Sequence, residues 1–580
     1  MIRTSPFMTQ KQPSIFVAIG YKEIYDDFAT ANPSEFMKDI PTVAIVKFVA
    51  EQYANVIYAV SDWKRQRLDV MNMRRYLPAK TKKKLSDYVK NWERKGNHVF
   101  LFGHEGCMML YRLALQNYTP LEPDDDYVDL CEDEYESVYK ALLYCNQVWT
   151  DGQLDENDKE FVDMSIKMDM PVVEYKLFKD FRPQLYKANQ FFTFCESDPV
   201  YQTYLPYYCS DVLATSWADY ERRVFGIYES SIKSPVITYK EHGNPTFVKQ
   251  FVISDDDPEL YSLWDDAKVA DRYLRKKFLF PLNDEQCIVM NANLIVDKLY
   301  QGLKFDIFAS IKKHNLLNHS GRSVKSFDDF TSEYGQYFSE KHLLGDLMSK
   351  TYSGFDVVLL KEDDIKLVFG DATPDLYIRD NENLFLFEYK DQLVKNDIRF
   401  EEDASKIRAF VLDRLCKDDG EKRKGGGQLL NTLDLILNQG VMNQFDPDVT
   451  GVKQIFPIIV ITDRAFSALG INRAVLEEFD RIWKEKYKFE QPVMIFNPVV
   501  VHIDTLFALS TRLHNKTFTL QGVLTDYILN NWLNMTPFDS FAYDHYRESN
   551  AQRQEGITFL LTDVVENVSK RTYNSLIMKE

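Results

Sequence analysis

The sequence predicts a mixed α+β and α/β protein in three parts: a large helical N-terminal region, a core of strands and helices, and a helical C-terminal extension. Apolar residues recur with the 3.6-residue period of helices from about residue 15 to residue 250. Strand-like segments are concentrated around residues 373–391 and 454–463. Helical periodicity returns after about residue 515.

The chain is long enough for several domains. Its 580 residues are 45% hydrophobic and 14% aromatic, which is ample for sizeable cores. The acidic stretch SDDDPE, at 254–259, predicts a linker after the helical region. We therefore expect a helical recognition or regulatory region at 1–253, a helical connector at 259–325, an α/β core at 326–515 and a helical extension at 516–580.

A β-hairpin is predicted in the stretch TPDLYIRDNENLFLFEYKD. The segment LFLFEYK alternates so that Glu388 and Lys390 point to the same face of a strand. DLYI forms the other arm, and RDNEN supplies residues that tolerate a tight turn. If the turn is centred between Asn381 and Glu382, antiparallel pairing places Asp375 directly opposite Glu388.

Two opposed carboxylates need a cation or a proton between them. Directly opposed side chains have Cβ atoms only about 5 Å apart, where two carboxylates repel each other. Oxygen ligands suit Mg²⁺ or Mn²⁺, and a lysine two residues after the second acid can orient or deprotonate a water. The hairpin therefore predicts a metal-dependent hydrolytic site.

These residues resemble the motif of the PD-(D/E)XK nuclease superfamily, with Pro374 and Asp375 as its first half and Glu388, Tyr389 and Lys390 as its second. The resemblance implies metal-dependent hydrolysis of phosphodiester bonds. It also implies that the two acids bind Mg²⁺ or Mn²⁺, that the carbonyl of the intervening tyrosine completes the shell, and that the lysine positions the attacking water.

The resemblance covers residues 327–502 and implies a restriction-endonuclease-like αβββαβ core. An upstream helix often contributes another acid in that family, and the helical segment FTSEYGQYFSEKHLLGDLMSK places Glu333 and Glu340 on one face. We favour Glu340. Gln428, in KGGGQLLNTLDLILN, matches a glutamine of some family members. The alternative for Glu333 and Glu340 is an ordinary solvated helix face, and for Gln428 it is a polar residue at a helix N-terminus after GGG, which we favour there.

Two functions from different classes fit this sequence. The first is a nuclease, expected to be an endonuclease with DNA favoured over RNA, whose N-terminal region recognises substrate, a protein partner or a trigger. Its architecture is similar to that of effectors of bacterial anti-phage defence. The second is a catalytically inactive, nuclease-like binding or scaffold protein. An ordinary surface hairpin whose acids pair with nearby Lys or Arg would have the same residues at these positions.

A basic segment offers a surface for a polyanion despite the net charge of −18. Residues 62–95 hold twelve bases and four acids, interleaved with aromatic residues that could stack on bases. A weaker basic patch lies at 406–424. We expect phosphate contacts from Arg74, Arg75, Lys82, Lys83, Lys84, Lys422, Arg423 and Lys424. The alternative for the first segment is a solvated helix face with its aromatic residues in the core.

The sequence indicates a cytoplasmic protein without a membrane partner. Its longest apolar runs, such as IFPIIVI, are far shorter than the about 20 residues of a membrane span. Seven cysteines without CxxC spacing predict reduced thiols packed in cores. The apolar helices expected after residue 515 could form an interface, so we expect a homo-oligomer.

Overall fold

A computed structural model describes residues 16–57, 63–121, 128–153, 160–176, 179–242, 245–254, 267–420, 422–489, 492–531 and 533–569. Within these ranges the protein has mixed α and β structure in which helices predominate. The linker predicted at 254–259 lies outside the described residues except for its first residue. No described helix is long and apolar enough to cross a membrane.

The strands of the described chain form one large sheet and three small ones. In chain order they are β1 (Phe16–Ala18), β2 (His98–Phe100), β3 (Val236–Thr238), β4 (Leu279–Pro281), β5 (Gln286–Val289), β6 (Val358–Lys361), β7 (Leu376–Asp380), β8 (Asn383–Lys390), β9 (Cys416–Asp418), β10 (Arg423–Gly425), β11 (Gln454–Ile461), β12 (Met494–Ile495) and β13 (Val499–His502). The small sheets are β1 with β2, β3 to β5, and β9 with β10.

The N-terminal region is mainly helical, as its periodicity predicts. Its α-helices are Pro33–Met37, Thr42–Ile57, Trp63–Tyr76, Ala79–Arg94, His104–Gln116, Glu134–Gln153, Phe161–Asp169, Val173–Lys176, Phe181–Ser197, Leu205–Asp211, Trp217–Ser231 and Pro245–Lys249. The connector is helical too, with the helices Ala267–Leu274, Ala292–Leu299 and Gln301–Lys313, although β4 and β5 also lie there.

Helices alternate with strands in the core and then follow it. They are Phe327–Tyr334, Gly345–Thr351, Glu362–Phe369, Asn396–Arg399, Ala404–Leu415, Gly426–Leu437, Ile471–Lys486, Ile503–His514, Leu520–Asn530, Phe538–His545 and Asn550–Ser569. A π-helix, Gly335–Leu344, joins the first two of them. The predicted helices after residue 515 are thus present.

The large sheet has the order β12-β11-β8-β7-β6, and β13 also pairs with β11. The strands β6, β7 and β8 are antiparallel, whereas β11 runs parallel to β8 and to β13. The predicted hairpin is β7 with β8, and Leu376 pairs with Phe387 in the predicted register. Asn381 begins its turn with φ of +53°, a conformation that asparagine tolerates better than most residues.

The two faces of the large sheet belong to two hydrophobic cores. Phe385 and Phe387 face a core that also contains residues of the N-terminal region, the connector and the C-terminal helices. Leu384 and Leu386, on the other face, pack with the helices Ala404–Leu415, Gly426–Leu437 and Ile471–Lys486. Alternation along the strand assigns neighbouring residues to opposite cores. The N-terminal region, the connector, the sheet and the C-terminal helices, which the sequence predicts as separate parts, therefore share the core that contains Phe385 and Phe387.

The C-terminal helices use their apolar residues within the chain. Leu524, Tyr527, Phe541 and Leu560 are buried in the core on the first face of the sheet. Leu529 remains exposed. Most of the apolar surface on which we based an interface is therefore occupied by the protein itself, and the homo-oligomer stays a prediction.

The cysteines are free thiols, as predicted. Six of the seven are buried, and Cys131 is exposed.

A buried ionic cluster joins the N-terminal region to the sheet. Glu174 accepts hydrogen bonds from Lys179 Nζ at 3.0 Å, from Arg275 at 2.7 Å and from Arg399. Arg399 also bonds Asp463, which follows the end of β11. Burial opposes ionisation of Glu174, but the three cations hold its pKa well below the usual range. The contact between the N-terminal region and the core thus contains buried charges that are neutralised by one another and not by water.

Candidate active site

Asp375 is fixed to the opposite strand of the hairpin. Its backbone N–H donates to the carbonyl of Phe387 at 3.0 Å, so the strand register continues by one residue and places Asp375 opposite Glu388. Its carboxylate accepts a hydrogen bond from the backbone N–H of Tyr389 at 2.5 Å. The arrangement follows from the alternation of β8 and the tight turn, both of which are local.

Glu388 and Lys390 lie on the same face of β8, as the alternation predicts. Lys390 donates from Nζ to Glu388 Oε1. Glu388 is only 1% exposed, and its Oε2 has no hydrogen-bond partner among the described residues. A buried carboxylate oxygen without a partner is costly, so this atom is suited to a ligand that supplies positive charge.

Charge crowding shifts the pKa values of all three groups. Burial and then the Glu388 carboxylate raise the pKa of Asp375 well above its usual range. Burial raises the pKa of Glu388 against the influence of Lys390. Burial lowers the pKa of Lys390, but the two carboxylates outweigh this effect and raise it. The two carboxylates thus favour the charged form of Lys390.

Glu340 joins these residues and Glu333 does not. Burial and then the Asp375 carboxylate raise the pKa of Glu340 to about 7, while Lys390 opposes the shift. Glu333 instead lies 3.7 Å from His319. The expectation that both glutamates share a helix face is wrong, because the wider turns of the π-helix Gly335–Leu344 rotate Glu340 relative to Glu333.

Glu362 is a further acid of the site that sequence reasoning missed. Its backbone N–H donates to the carbonyl of Asp375 at 3.3 Å, and its charge helps to raise the pKa values of Asp375, Glu388 and Glu340. It begins the helix Glu362–Phe369, where acids are common because they interact favourably with the helix dipole. We call Glu340, Glu362, Asp375, Glu388 and Lys390 the acidic site.

A buried salt bridge supports the strand end beside the acidic site. Lys304, from the connector, donates to Asp391 at 2.9 Å, and Thr462 at the end of β11 donates to the same carboxylate at 2.7 Å. Burial raises the pKa of Asp391, but Lys304 and these hydrogen bonds outweigh it and hold the pKa below the usual value. The residue after Lys390 is thus held by two elements distant in sequence.

Gln428 lies next to the acidic site without entering it. Its Nε2 donates to the carbonyl of Thr373 at 3.0 Å, two residues before Asp375. Close packing requires glycine at two positions before Gln428. A Cβ on Gly425 would lie 1.9 Å from the carbonyl oxygen of Leu415, and a Cβ on Gly427 would lie 2.0 Å from the carbonyl oxygen of Lys417. The structure therefore gives Gln428 a role in holding the loop that precedes Asp375.

The donor set of the acidic site fits a divalent cation. Asp375 and Glu388 are opposed carboxylates, and Glu388 has the buried oxygen without a partner described above. In the part of the chain that the structure describes, no three Asp, Glu, His or Cys side chains are grouped closely enough to hold a metal ion. Mg²⁺, however, is commonly bound by one or two carboxylates together with substrate phosphates. The carbonyl of Tyr389 stays a predicted third ligand.

The basic segment of residues 62–95 forms the helices Trp63–Tyr76 and Ala79–Arg94. Arg74, Arg75 and Lys83 are exposed, whereas Lys82 and Lys84 are partly buried and Lys84 Nζ lies 2.6 Å from Asp26. The aromatic side chains described there pack inward. Tyr76 stacks on Tyr135 with ring centroids 4.2 Å apart, and Tyr88 and Trp92 pack against the core. Base stacking by these three rings is therefore not supported, but phosphate contacts stay a prediction.

The second basic patch lies on the hairpin of β9 and β10, and acids compensate much of its charge. Arg423 Nε lies 3.4 Å from Asp418, and Lys424 Nζ lies 3.2 Å from Asp413. Lys422 is exposed. The hairpin leads directly into the helix that carries Gln428.

Comparison with known proteins gives no family for this chain: no family model matches it, and neither a curated protein sequence nor a solved structure is significantly similar. Its function has to be inferred from the acidic site and from the sheet that carries it.

Proposed function

We propose that the protein is a Mg²⁺- or Mn²⁺-dependent nuclease of the PD-(D/E)XK type. The observation that carries this proposal is the convergence of Asp375, Glu388 and Lys390 at one end of a hairpin, with one buried carboxylate oxygen of Glu388 left without a partner. Structural hairpins seldom bury opposed acids, since each must lose its hydration. A cation bound between the two carboxylates would compensate for this cost of dehydration.

The topology of the large sheet supports the proposal. A helix precedes β6, the hairpin of β7 and β8 follows, and the helix Gly426–Leu437 leads to β11 beside β8. The resemblance implies an αβββαβ order, and these elements follow it in sequence, although the helix Glu362–Phe369 lies between β6 and β7. The chain also has the helix Ala404–Leu415 and the hairpin of β9 and β10 between β8 and that later helix. Fold alone does not imply function, so the residues of the site carry the greater weight.

The residues of the acidic site have separable roles in phosphodiester hydrolysis. Asp375 and Glu388 would hold the cation, which when bound supplies stabilisation of the negative charge on the scissile phosphate. The backbone N–H of Tyr389 fixes the Asp375 carboxylate. Lys390, whose charged form the two carboxylates favour, orients the attacking water and adds positive charge. Glu340 and Glu362 are further acceptors at the edge of the site.

The substrate that we propose is DNA rather than RNA, cut internally. The helical N-terminal region would recognise substrate, a protein partner or a trigger, and a role as effector of anti-phage defence rests on architecture alone. One feature favours the alternative of an inactive binding protein: Lys390 already neutralises one oxygen of Glu388 without a metal.

Cleavage assays separate these functions. We expect the purified chain to convert supercoiled plasmid DNA to open-circular and linear forms in the presence of Mn²⁺ or Mg²⁺, and excess EDTA to stop the reaction. Single-stranded RNA in a parallel assay tests the preference for DNA. Absence of cleavage of either substrate, together with unchanged nucleic-acid binding after EDTA, would favour the inactive binding protein.

Charge reversal tests the basic segment. Replacing the exposed Arg74, Arg75 and Lys83 with Glu should weaken DNA binding on all sequences alike, since phosphate contacts carry no sequence information. Each lost contact should reduce the slope of log K against log salt by about 0.7 to 0.9. Fluorescence anisotropy at several salt concentrations measures the slope.

A control variant with Lys233→Glu and Lys240→Glu reverses two charges that are equally exposed but lie outside the basic segment. Its salt slope should match that of the wild type. If the variant of the basic segment also keeps the wild-type slope, the segment is a solvated helix face, and DNA reaches the acidic site by another surface.

A further inference from the structure

The structure contains a cavity between helices of the N-terminal and C-terminal regions. Its volume is about 180 Å³, and it is lined by residues of the helices Phe181–Ser197, Ile503–His514, Phe538–His545 and Asn550–Ser569. No residue of the acidic site lines it. The proposed nuclease reaction leaves this cavity without a role.

Arginine is the most frequent charged residue in the lining of the cavity. Arg182 is paired there with Asp180 and with Glu548, and Arg464 lies 3.7 Å from Asp504. The other lining arginines are Arg512, Arg547 and Arg553. The lining also holds four acids, of which Asp180, Glu548 and Asp504 lie beside Arg182 or Arg464, and the fourth is Asp539. Arg is the side chain best suited to planar, bidentate recognition of phosphate, so the remaining arginines are the candidates for binding an anion.

Arg512 is the unusual member of this set. It is only 5% exposed, its Nε has no hydrogen-bond partner in the described chain, and its guanidinium forms no ion pair there. Its guanidinium lies over the ring of Phe518, 5.0 Å from the centroid. Burial lowers the pKa of Arg512, although Glu548 opposes the shift. A buried cation without a partner is costly, and a bound anion would remove that cost.

Aromatic side chains stand beside the arginines. Tyr543 and Tyr546 line the cavity, Tyr543 is exposed, and Arg547 lies over its ring at 5.6 Å. Tyr546 is held by a hydrogen bond from its hydroxyl to Asp526 at 2.9 Å. An aromatic ring next to arginines offers a surface for the sugar or base of a ligand whose phosphate contacts the guanidinium.

We propose that this cavity binds a small phosphorylated sugar or nucleotide, with its phosphate at Arg512 and its ring at Tyr543. A cavity of about 150 Å³ accepts a molecule of the size of benzene, so a cavity of about 180 Å³ has room for one phosphate group, and the sugar would lie at the open rim beside Tyr543 and Arg547. A small volume that opens to solvent at one side suits a free small molecule better than a continuous nucleic-acid backbone, which needs a groove.

Hydrogen bonds connect the ligand site to the acidic site. His502, in the cavity lining, lies with Nε2 at 2.9 Å from the carbonyl oxygen of Thr462, whose hydroxyl donates to Asp391. Asp391 directly follows Lys390. A ligand in the cavity is thus placed to influence the acidic site, and that consequence alone rests on the proposed nuclease function.

Calorimetric titration of the full chain tests the binding directly and needs no nuclease activity. The probes are ribose 5-phosphate, with ribose as the uncharged control, and a short oligonucleotide without a terminal phosphate. We expect ribose 5-phosphate to bind, ribose not to bind, and Arg512→Met to weaken the binding of ribose 5-phosphate by at least about tenfold. Arg481→Met, which removes an exposed arginine paired with Glu478 and Glu485, should bind like the wild type.

Thermal stability without ligand provides the second readout. Arg512→Met removes a buried charge without a partner, so its Tm should equal or exceed that of the wild type, and ribose 5-phosphate should raise only the wild-type Tm. Equal binding of ribose 5-phosphate by Arg512→Met and wild type, or binding of the oligonucleotide alone, would overturn the proposal. If Arg512→Met does not fold, Arg547→Ala, at the exposed rim, replaces it in the titration, and binding equal to that of the wild type would overturn the proposal in the same way.

Discussion

Replacing Asp375 with Asn is expected to lower the rate of metal-dependent cleavage by about three orders of magnitude and to leave the fold intact. The loss follows because several kcal/mol of charge stabilisation depend on the cation, and each 1.36 kcal/mol is tenfold in rate. The fold should survive because the amide oxygen of Asn can still accept the hydrogen bond from the N–H of Tyr389. Plasmid cleavage and circular dichroism measure the two effects.

Asp380→Asn is the matched control, since it makes the same change at the other end of β7. It should cut like the wild type. Mn²⁺ should raise the Tm of the wild type and of Asp380→Asn but hardly that of Asp375→Asn, which lacks one ligand. Wild-type cleavage by folded Asp375→Asn protein would remove Asp375 from the site.

The structure changes what we expect of Lys390. A role in the chemistry alone would predict that Lys390→Ala loses activity and leaves the fold intact. In the structure Lys390 forms a buried ion pair with Glu388, so its removal leaves a buried carboxylate without compensation. We therefore expect a loss of stability in addition to the loss of cleavage. Asp375→Asn is the cleaner variant because it relieves like-charge crowding instead of creating an unpaired charge.

Replacing Glu174 with Ala is expected to destabilise the protein by about 3–5 kcal/mol, the cost typical of breaking a buried ion pair. Glu174 is only 4% exposed and pairs with the buried Lys179 and Arg399 and with the partly exposed Arg275. Without Glu174, Asp297 and Asp463 would remain to compensate the charge of these three cations. Urea unfolding, followed by far-UV circular dichroism and tryptophan fluorescence, measures the loss.

Glu229→Ala provides the comparison because Glu229 pairs with Lys233 on an exposed helix face. Glu229→Ala should lower the free energy of unfolding by no more than about 1 kcal/mol. Since the N-terminal region and one face of the sheet share a core, we also expect both probes to report a single transition in the wild type. A small effect of Glu174→Ala, or two well-separated transitions, would mean that the N-terminal region is an independent domain.

Much of the acidic site could be predicted from the sequence because it is local. Asp375, Glu388 and Lys390 lie within one hairpin, where the two-residue alternation of β8 and a turn at Asn381 determine which side chains face each other. The helical regions before and after the core were predictable for a similar reason, since apolar periodicity extends over single elements, whereas the helix Glu362–Phe369 and the hairpin of β9 and β10 were not predicted.

Only the tertiary structure decided which other residues meet at the hairpin and which do not. Glu340, which feels the charge of Asp375, lies in a π-helix, and no residue type marks that π-helix in the sequence. Lys304 reaches Asp391 across the shared core, and Arg512 is buried by helices far apart in the chain. Sequence periodicity reports which face of an element is apolar, whereas the element packed against that face depends on contacts between distant residues, which carry no local pattern.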